Sequence, residues 1–158
     1  MTELWVPGAE VASLRRTMTA ERMRWYADAL ETCSQDTDHP VVAELNIHTD
    51  DDIARASGLP ARVADGMVST NWVSTMLADA VGDGYLVDGS LFTRYVRPIF
   101  EDERIEVVVR VTERTSVGDG HDKIHAEVSC TKPDGQVATG GRATFLVPEG
   151  YRGHRGRE

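Results

Sequence analysis

His48 stands just ahead of a run of acidic residues, and no other side chain in the sequence is so well placed for proton chemistry. It is followed by Thr49 and then by Asp50, Asp51 and Asp52, with Asp36 and Glu44 upstream. An unperturbed imidazole titrates near ~6.5, so it can take up or release a proton close to neutrality, and a neighbouring carboxylate can orient the ring and share a water with it. A histidine with carboxylates near it in sequence could therefore do acid–base chemistry. The plainer reading of the same residues is a histidine on the surface or at a cap, with three aspartates complementing the positive end of a short helix. No ligand loop surrounds those aspartates, so no metal is assigned to them.

A second group, Asp65-Gly66-Met67, opens the most apolar helical pattern in the chain. Backbone N–H groups at the start of a helix are unpaired donors aligned with its dipole and suit a developing oxyanion, and glycine permits close approach. Gly66 and Met67 occupy that position. Asp65 reads most simply as the N-cap of this helix.

The elements that must hold these groups follow from periodicity. Met23, Tyr26, Ala27 and Leu30 recur at helical steps within a stretch from Thr17 to Cys33, with Thr19 as candidate N-cap. Thr49 to Ala56 predicts a short helix capped at Thr49 and stopped at Gly58 before Pro60. From Gly66 to Val81 the apolar positions Val68, Trp72, Val73, Met76, Leu77 and Ala80 keep the helical period among small residues, and Gly82 closes the segment. The period then becomes twofold. Ile105 to Val111, Ile124 to Cys130 and Val137 to Phe145 alternate as three long antiparallel strands, joined by turns at Gly118–Gly120 and Pro133–Gly135. Leu86 to Tyr95 predicts a fourth strand, and Leu4 to Ala12 an edge strand. Helices first and strands after, with one helix almost wholly apolar, predict an α+β hotdog fold, an antiparallel sheet wrapped around a long central helix. One domain over 1–148 and a frayed tail over 149–158 are expected.

Composition narrows the partners. The 158 residues carry 17 Lys and Arg against 26 Asp and Glu, a net charge of −9, which disfavours nucleic acid and anionic membrane as partners. No apolar run approaches a membrane span, Met1 to Ala20 has no signal-like stretch, and Cys33 and Cys130 form no paired motif, so a cytoplasmic protein is expected.

Three segments, in order, resemble the MaoC-like family of hotdog hydratases and dehydratases. Asn46-Ile47-His48-Thr49-Asp50, with Ile53-Ala54 and Gly58-Leu59-Pro60, resembles the family's hydratase motif, in which Gly-Asp, one residue, Asn-Pro, an aliphatic residue and His precede Thr-Asp and an alanine. Val63-Ala64-Asp65-Gly66-Met67 is similar to the family's Ile-Ala-His-Gly-Met at the start of the central helix. Phe92 to Pro98, with Ile99, Asp102 and Val107, is similar to its strand reading Phe, two residues, Pro-Val and then Gly-Asp. The similarity spans roughly Thr19 to Pro148. Against the pattern, position 43, where the family's aspartate falls, is alanine; the proline after Asn46 is absent; Asp65 replaces a histidine; and Ser34-Gln35-Asp36 resembles a displaced Ser-Gly-Asp.

The resemblance implies a cofactor-independent hydratase or dehydratase of an enoyl or 3-hydroxyacyl thioester of coenzyme A or acyl carrier protein. His48 would be the acid–base residue, paired with Asp36, Glu44 or Asp50. Asn46, Asp65, Gly66 and Met67 would bind substrate, and Arg94 and Arg97 could meet a pantetheine or coenzyme A phosphate. A homodimer paired edge to edge is implied as well. Two other readings share the fold: a thioesterase using Asp65 as base or nucleophile, and a non-catalytic binding subunit that has lost the dyad.

Overall fold

The computed structural model describes residues 5–33 and 46–151. In chain order these form β1 (Glu10–Thr17), α1 (Ala20–Cys33), α2 (Asp51–Ala56), α3 (Gly66–Val81), α4 (Asp83–Leu86), β2 (Ser90–Tyr95), β3 (Arg104–Gly118), β4 (His121–Thr131) and β5 (Val137–Pro148). The strands make one antiparallel sheet in the order β1-β3-β4-β5-β2. Asp119 and Gly120 join β3 to β4 with both φ angles positive, the geometry that lets a two-residue turn follow strand twist.

Alternation decides which face of the sheet is dry. Ile105, Val107, Val109 and Val111 on β3, and Ile124, Ala126, Val128 and Cys130 on β4, are buried, while their neighbours point away. Ala143, Phe145 and Val147 extend the same layer on β5. Helix α3 lies against this face through Val68, Val73, Met76 and Leu77. Its ends are fixed locally: the Asp65 side chain accepts the Met67 N–H, and the Gly82 N–H reaches the Ala78 carbonyl. A buried hydroxyl pair crosses the helix–sheet boundary. Ser69 Oγ lies 2.7 Å from the Gly66 carbonyl, which can only accept, so the Thr139 hydroxyl, 2.8 Å away, is the donor to Ser69. This chain of two bonds ties the first turn of α3 to β5.

A bulge beside that link shapes the sheet edge. The register between β4 and β5 shifts between Cys130 and Thr131, so Ala138 and Thr139 are both buried. The Ala138 carbonyl then accepts from the N–H groups of Val96 and Arg97, which fixes the chain as it leaves β2.

The strand and helix expectations hold for α1, α3 and β3 to β5, and four details differ. The edge strand near the amino terminus is Glu10–Thr17, later than Leu4 to Ala12, because Trp5 is a core plug and no strand residue: its ring meets Phe145 edge-on at 5.3 Å. Asp50, not Thr49, caps α2, accepting from the N–H groups of Asp52 and Ile53. The stretch from Leu86 to Tyr95 begins with the end of the α4 turn, and its strand starts at Ser90. Tyr151, expected in the frayed tail, stacks on Trp5 at 6.3 Å. No helix among the described residues is long and apolar enough to cross a membrane.

Burial pushes the Cys130 thiol up to about 12, so below that range it stays a neutral thiol packed against α3. Its contribution to stability is complete below the ordinary thiol value and is lost as pH rises through the folded value. Iodoacetamide at pH 8, with peptide mapping, should leave Cys130 unmodified in the native chain and label it after denaturation. Rapid native labelling at that residue would contradict the packing described.

Candidate active site

The residues from Asn46 to Asp50 form a turn that bonds to itself. Asn46 Oδ1 accepts the His48 N–H at 2.8 Å, the Asn46 carbonyl accepts from Thr49 and Asp50, and the Asn46 N–H reaches Thr49 Oγ1 at 3.0 Å. This is the side-chain-to-backbone bonding that asparagine favours in turns. Asp50 then begins α2 with its carboxylate engaged by two helical N–H groups. The turn therefore sets the direction in which His48 leaves the backbone.

A second extended segment faces that turn. The Val63 N–H donates to the Ile47 carbonyl, Val63 bridges Phe100, and the Ala64 N–H donates to the Ile99 carbonyl. Val63 and Ala64 are buried between the turn and the chain that follows β2. Asp65 and Gly66 come next and begin α3. Between these segments lies a cavity of about 450 Å³, lined by His48, Val63 to Gly66, Tyr95 to Ile99 and Thr139.

His48 bridges the two segments. Its Nδ1 is 3.0 Å from the Val63 carbonyl, and its Nε2 is 3.9 Å from Asp65 Oδ2, with both side chains about two-thirds sheltered (32% and 28% exposed). A carbonyl oxygen has no proton to give, so Nδ1 carries the hydrogen and a neutral ring keeps its lone pair on Nε2, on the side of Asp65. The other oxygen of Asp65 accepts the Met67 N–H at 2.8 Å. Tyr26, on α1, senses the same carboxylate: its phenol is raised above the ordinary value by burial first, then by the charge of Asp65 and by Tyr95.

Tyr95 closes one wall. A Cβ built on Gly66 would come within 2.6–2.7 Å of three atoms of the Tyr95 ring, so only glycine fits under it. The Tyr95 hydroxyl lies 3.0 Å from both Thr70 Oγ1 and Met67 Sδ, which holds the ring across the first turn of α3.

The structure brings His48, Asp65, Gly66 and Arg97 to one cavity. Asn46 supports the His48 backbone and does not line the cavity, and Asp50 serves α2. Met67 also lies outside the lining, and its N–H is taken by Asp65, so it is no open donor for an oxyanion. Gly66, first in the helix, has no partner for its N–H among the described residues. Arg94 is exposed on β2 with its guanidinium over the Phe92 ring at 5.7 Å, whereas Arg97 reaches the Val137 carbonyl at 3.1 Å. Asp36 and Glu44 lie outside the described residues. Sequence reasoning missed the Val63 carbonyl, Tyr95 and Thr139. Their roles come from contacts across the fold, and only the inward alternation of Thr139 with Gly141 and Ala143 hinted at one of them. Among the described residues no three His, Cys, Asp or Glu side chains converge as a metal site would need.

Comparison with known proteins gives the fold its relatives. The family model described as the MaoC like domain matches residues 6–132. The (R)-hydratase PhaJ1 from Pseudomonas aeruginosa superposes with a TM-score of 0.69 at 17% identity, covering 97% of this chain and 88% of that one. A MaoC-like dehydratase from Rhodospirillum rubrum gives 0.68 at 16% identity over 91% and 93% of the two chains. The (R)-hydratase from A. caviae involved in PHA biosynthesis gives 0.63 at 18% identity over 90% and 97%. No curated protein matches this sequence. With a sheet wrapped around α3 and a family match over most of its length, the chain belongs to the MaoC-like family and has the hotdog fold.

Proposed function

We propose that this protein adds water to the double bond of an enoyl thioester, or removes it from a 3-hydroxyacyl thioester, with coenzyme A or acyl carrier protein as the thiol. The observation that carries the reading is the 3.0 Å contact between His48 Nδ1 and the Val63 carbonyl, which calls for the hydrogen on Nδ1 and leaves the lone pair of Nε2 at a cavity beside the start of α3. Family membership supports the same reaction class, and the hydratase relatives favour the R configuration at the hydroxylated carbon.

Hydration needs a base for the water, a proton for the alpha carbon and a donor for the enolate-like carbonyl. His48 Nε2 can accept the water's proton as the oxygen bonds to the beta carbon, and can then return it to the alpha carbon. The Gly66 N–H, at the positive end of α3, is suited to the thioester oxygen. Arg97, at the same cavity, is the arginine better placed than Arg94 for a carrier phosphate. No external cofactor takes part in this scheme.

A homodimer paired along β2 completes the reading. This edge strand and the residue after it expose Phe92, Tyr95 and Val96, whereas the opposite edge, β1, exposes Arg15 and Arg16. Sedimentation should give a dimer that Phe92→Lys shifts toward monomer; a monomeric wild type would exclude this pairing.

His48→Gln should lower hydration of a panel of enoyl thioesters by about 100-fold or more, followed by loss of the conjugated thioester absorbance. A variant that keeps wild-type turnover, or a wild type that instead releases free thiol, would contradict the reading. Gly66→Ala should cost on the order of 100-fold in kcat/KM, because the Tyr95 ring must leave its position over the helix start. Full activity of that variant would show that the wall formed by Tyr95 is not needed.

A further inference from the structure

We infer that Asp65, at the first turn of the central helix, is the carboxylate that works with His48 on the reacting water. The inference rests on the hydratase reading above and adds a catalytic residue to it. The sequence reads Asp65 most simply as a cap, with substrate binding or a thioesterase role implied by resemblance, and it is a cap, but a cap uses only one of its two oxygens. Oδ1 is held by the Met67 N–H at 2.8 Å, which restrains the carboxylate and leaves Oδ2 directed at the imidazole.

The separation of 3.9 Å between Oδ2 and His48 Nε2 is too long for a direct hydrogen bond. It suits a shared third atom: an oxygen about 2.8 Å from each subtends an angle of roughly 90° between them, within reach of two O–H donors from one water. Both acceptors are acceptors only in the state described. The ionised carboxylate has no hydrogen, and Nδ1 holds the one hydrogen of the neutral ring. A water between them therefore points both hydrogens at protein and turns its lone pairs away from them, toward a substrate in the cavity.

Among the described residues the carboxylates nearest His48 in sequence are engaged elsewhere. Asp50 is committed to α2, and Asp51 accepts the Arg62 N–H at 2.8 Å. Among the described residues Asp65 is the carboxylate that lines the cavity. It lies on a different element from the turn that carries His48, so the acid–base pair is assembled across the fold.

In the forward direction one water O–H bond breaks and its proton moves to His48 Nε2. The water oxygen bonds to the beta carbon, and the π pair moves through the alpha carbon onto the thioester carbonyl. Asp65 stays ionised, accepting the second O–H and stabilising the imidazolium. The Nε2 proton then passes to the alpha carbon, so the sum is enoyl thioester plus water giving 3-hydroxyacyl thioester, with the enzyme unchanged. Dehydration runs through the same bonds in reverse.

Asp65→Asn is the informative variant, because asparagine also caps helices and has nearly the same volume, yet can present an N–H group where Oδ2 accepted. On the full chain, with an enoyl thioester that the wild type hydrates, kcat should fall about 100-fold while KM changes less than about threefold and Tm is retained. Combining it with His48→Gln should cost no more than about threefold beyond the worse single variant, since both act on one water. Wild-type kcat in Asp65→Asn would overturn the role of Asp65 and leave the hydratase reading standing, as would losses confined to Asp36→Asn or Glu44→Gln. A wild type inactive on every thioester tested would remove the hydratase reading itself, and this role with it.

Discussion

The hydrogen bond from His48 Nδ1 to the Val63 carbonyl joins two segments 15 residues apart, each held by its own backbone bonds. In water an imidazole moves its proton between two nitrogens and turns freely. Here a backbone oxygen that can only accept fixes the hydrogen on one nitrogen, and so fixes which nitrogen faces the cavity. The remaining geometry follows from this restraint. Val63 is buried and bridged to Phe100, so the acceptor is part of the folded framework and does not move independently of it.

The sheet and central helix make that framework rigid. Helix α3 is packed by Val68, Val73, Met76 and Leu77, and its first turn is tied to β5 through Ser69 and Thr139. Asp65 and Gly66 emerge from the same turn, so the orientation of a core helix becomes the orientation of a carboxylate and a backbone donor. The bulge at Ala138 and Thr139 serves the other side of the cavity, because the Ala138 carbonyl anchors Val96 and Arg97. Polar groups with fixed directions are thus supported by apolar packing that excludes water from beneath them.

Much of this was legible in the residues. Helix α3 runs from Gly66 to Val81 as its period and terminal Gly82 predict, and the buried positions of β3 and β4 are those of the twofold pattern. The approach of Asp65 to His48 was not legible, since no local rule relates a turn near position 48 to a helix start at position 66. The Val63 carbonyl is likewise silent in sequence, because every residue has a carbonyl and only the fold selects one. Met67 shows the reverse case. A helix-start N–H looks open in sequence, and the adjacent aspartate closes it. The β1 edge was misplaced because Trp5 reads as a strand residue when its apolar surface in fact fills a hole against Phe145.

The direct test of the account is the tautomer of His48 itself. In protein labelled with 15N-histidine, with His48 assigned by its loss in His48→Gln, the neutral ring should show a protonated Nδ1 and a bare, lone-pair-bearing Nε2 in long-range 1H–15N correlations. A protonated Nε2 with bare Nδ1, or rapid averaging between the two forms, would mean that the Val63 carbonyl does not hold the ring.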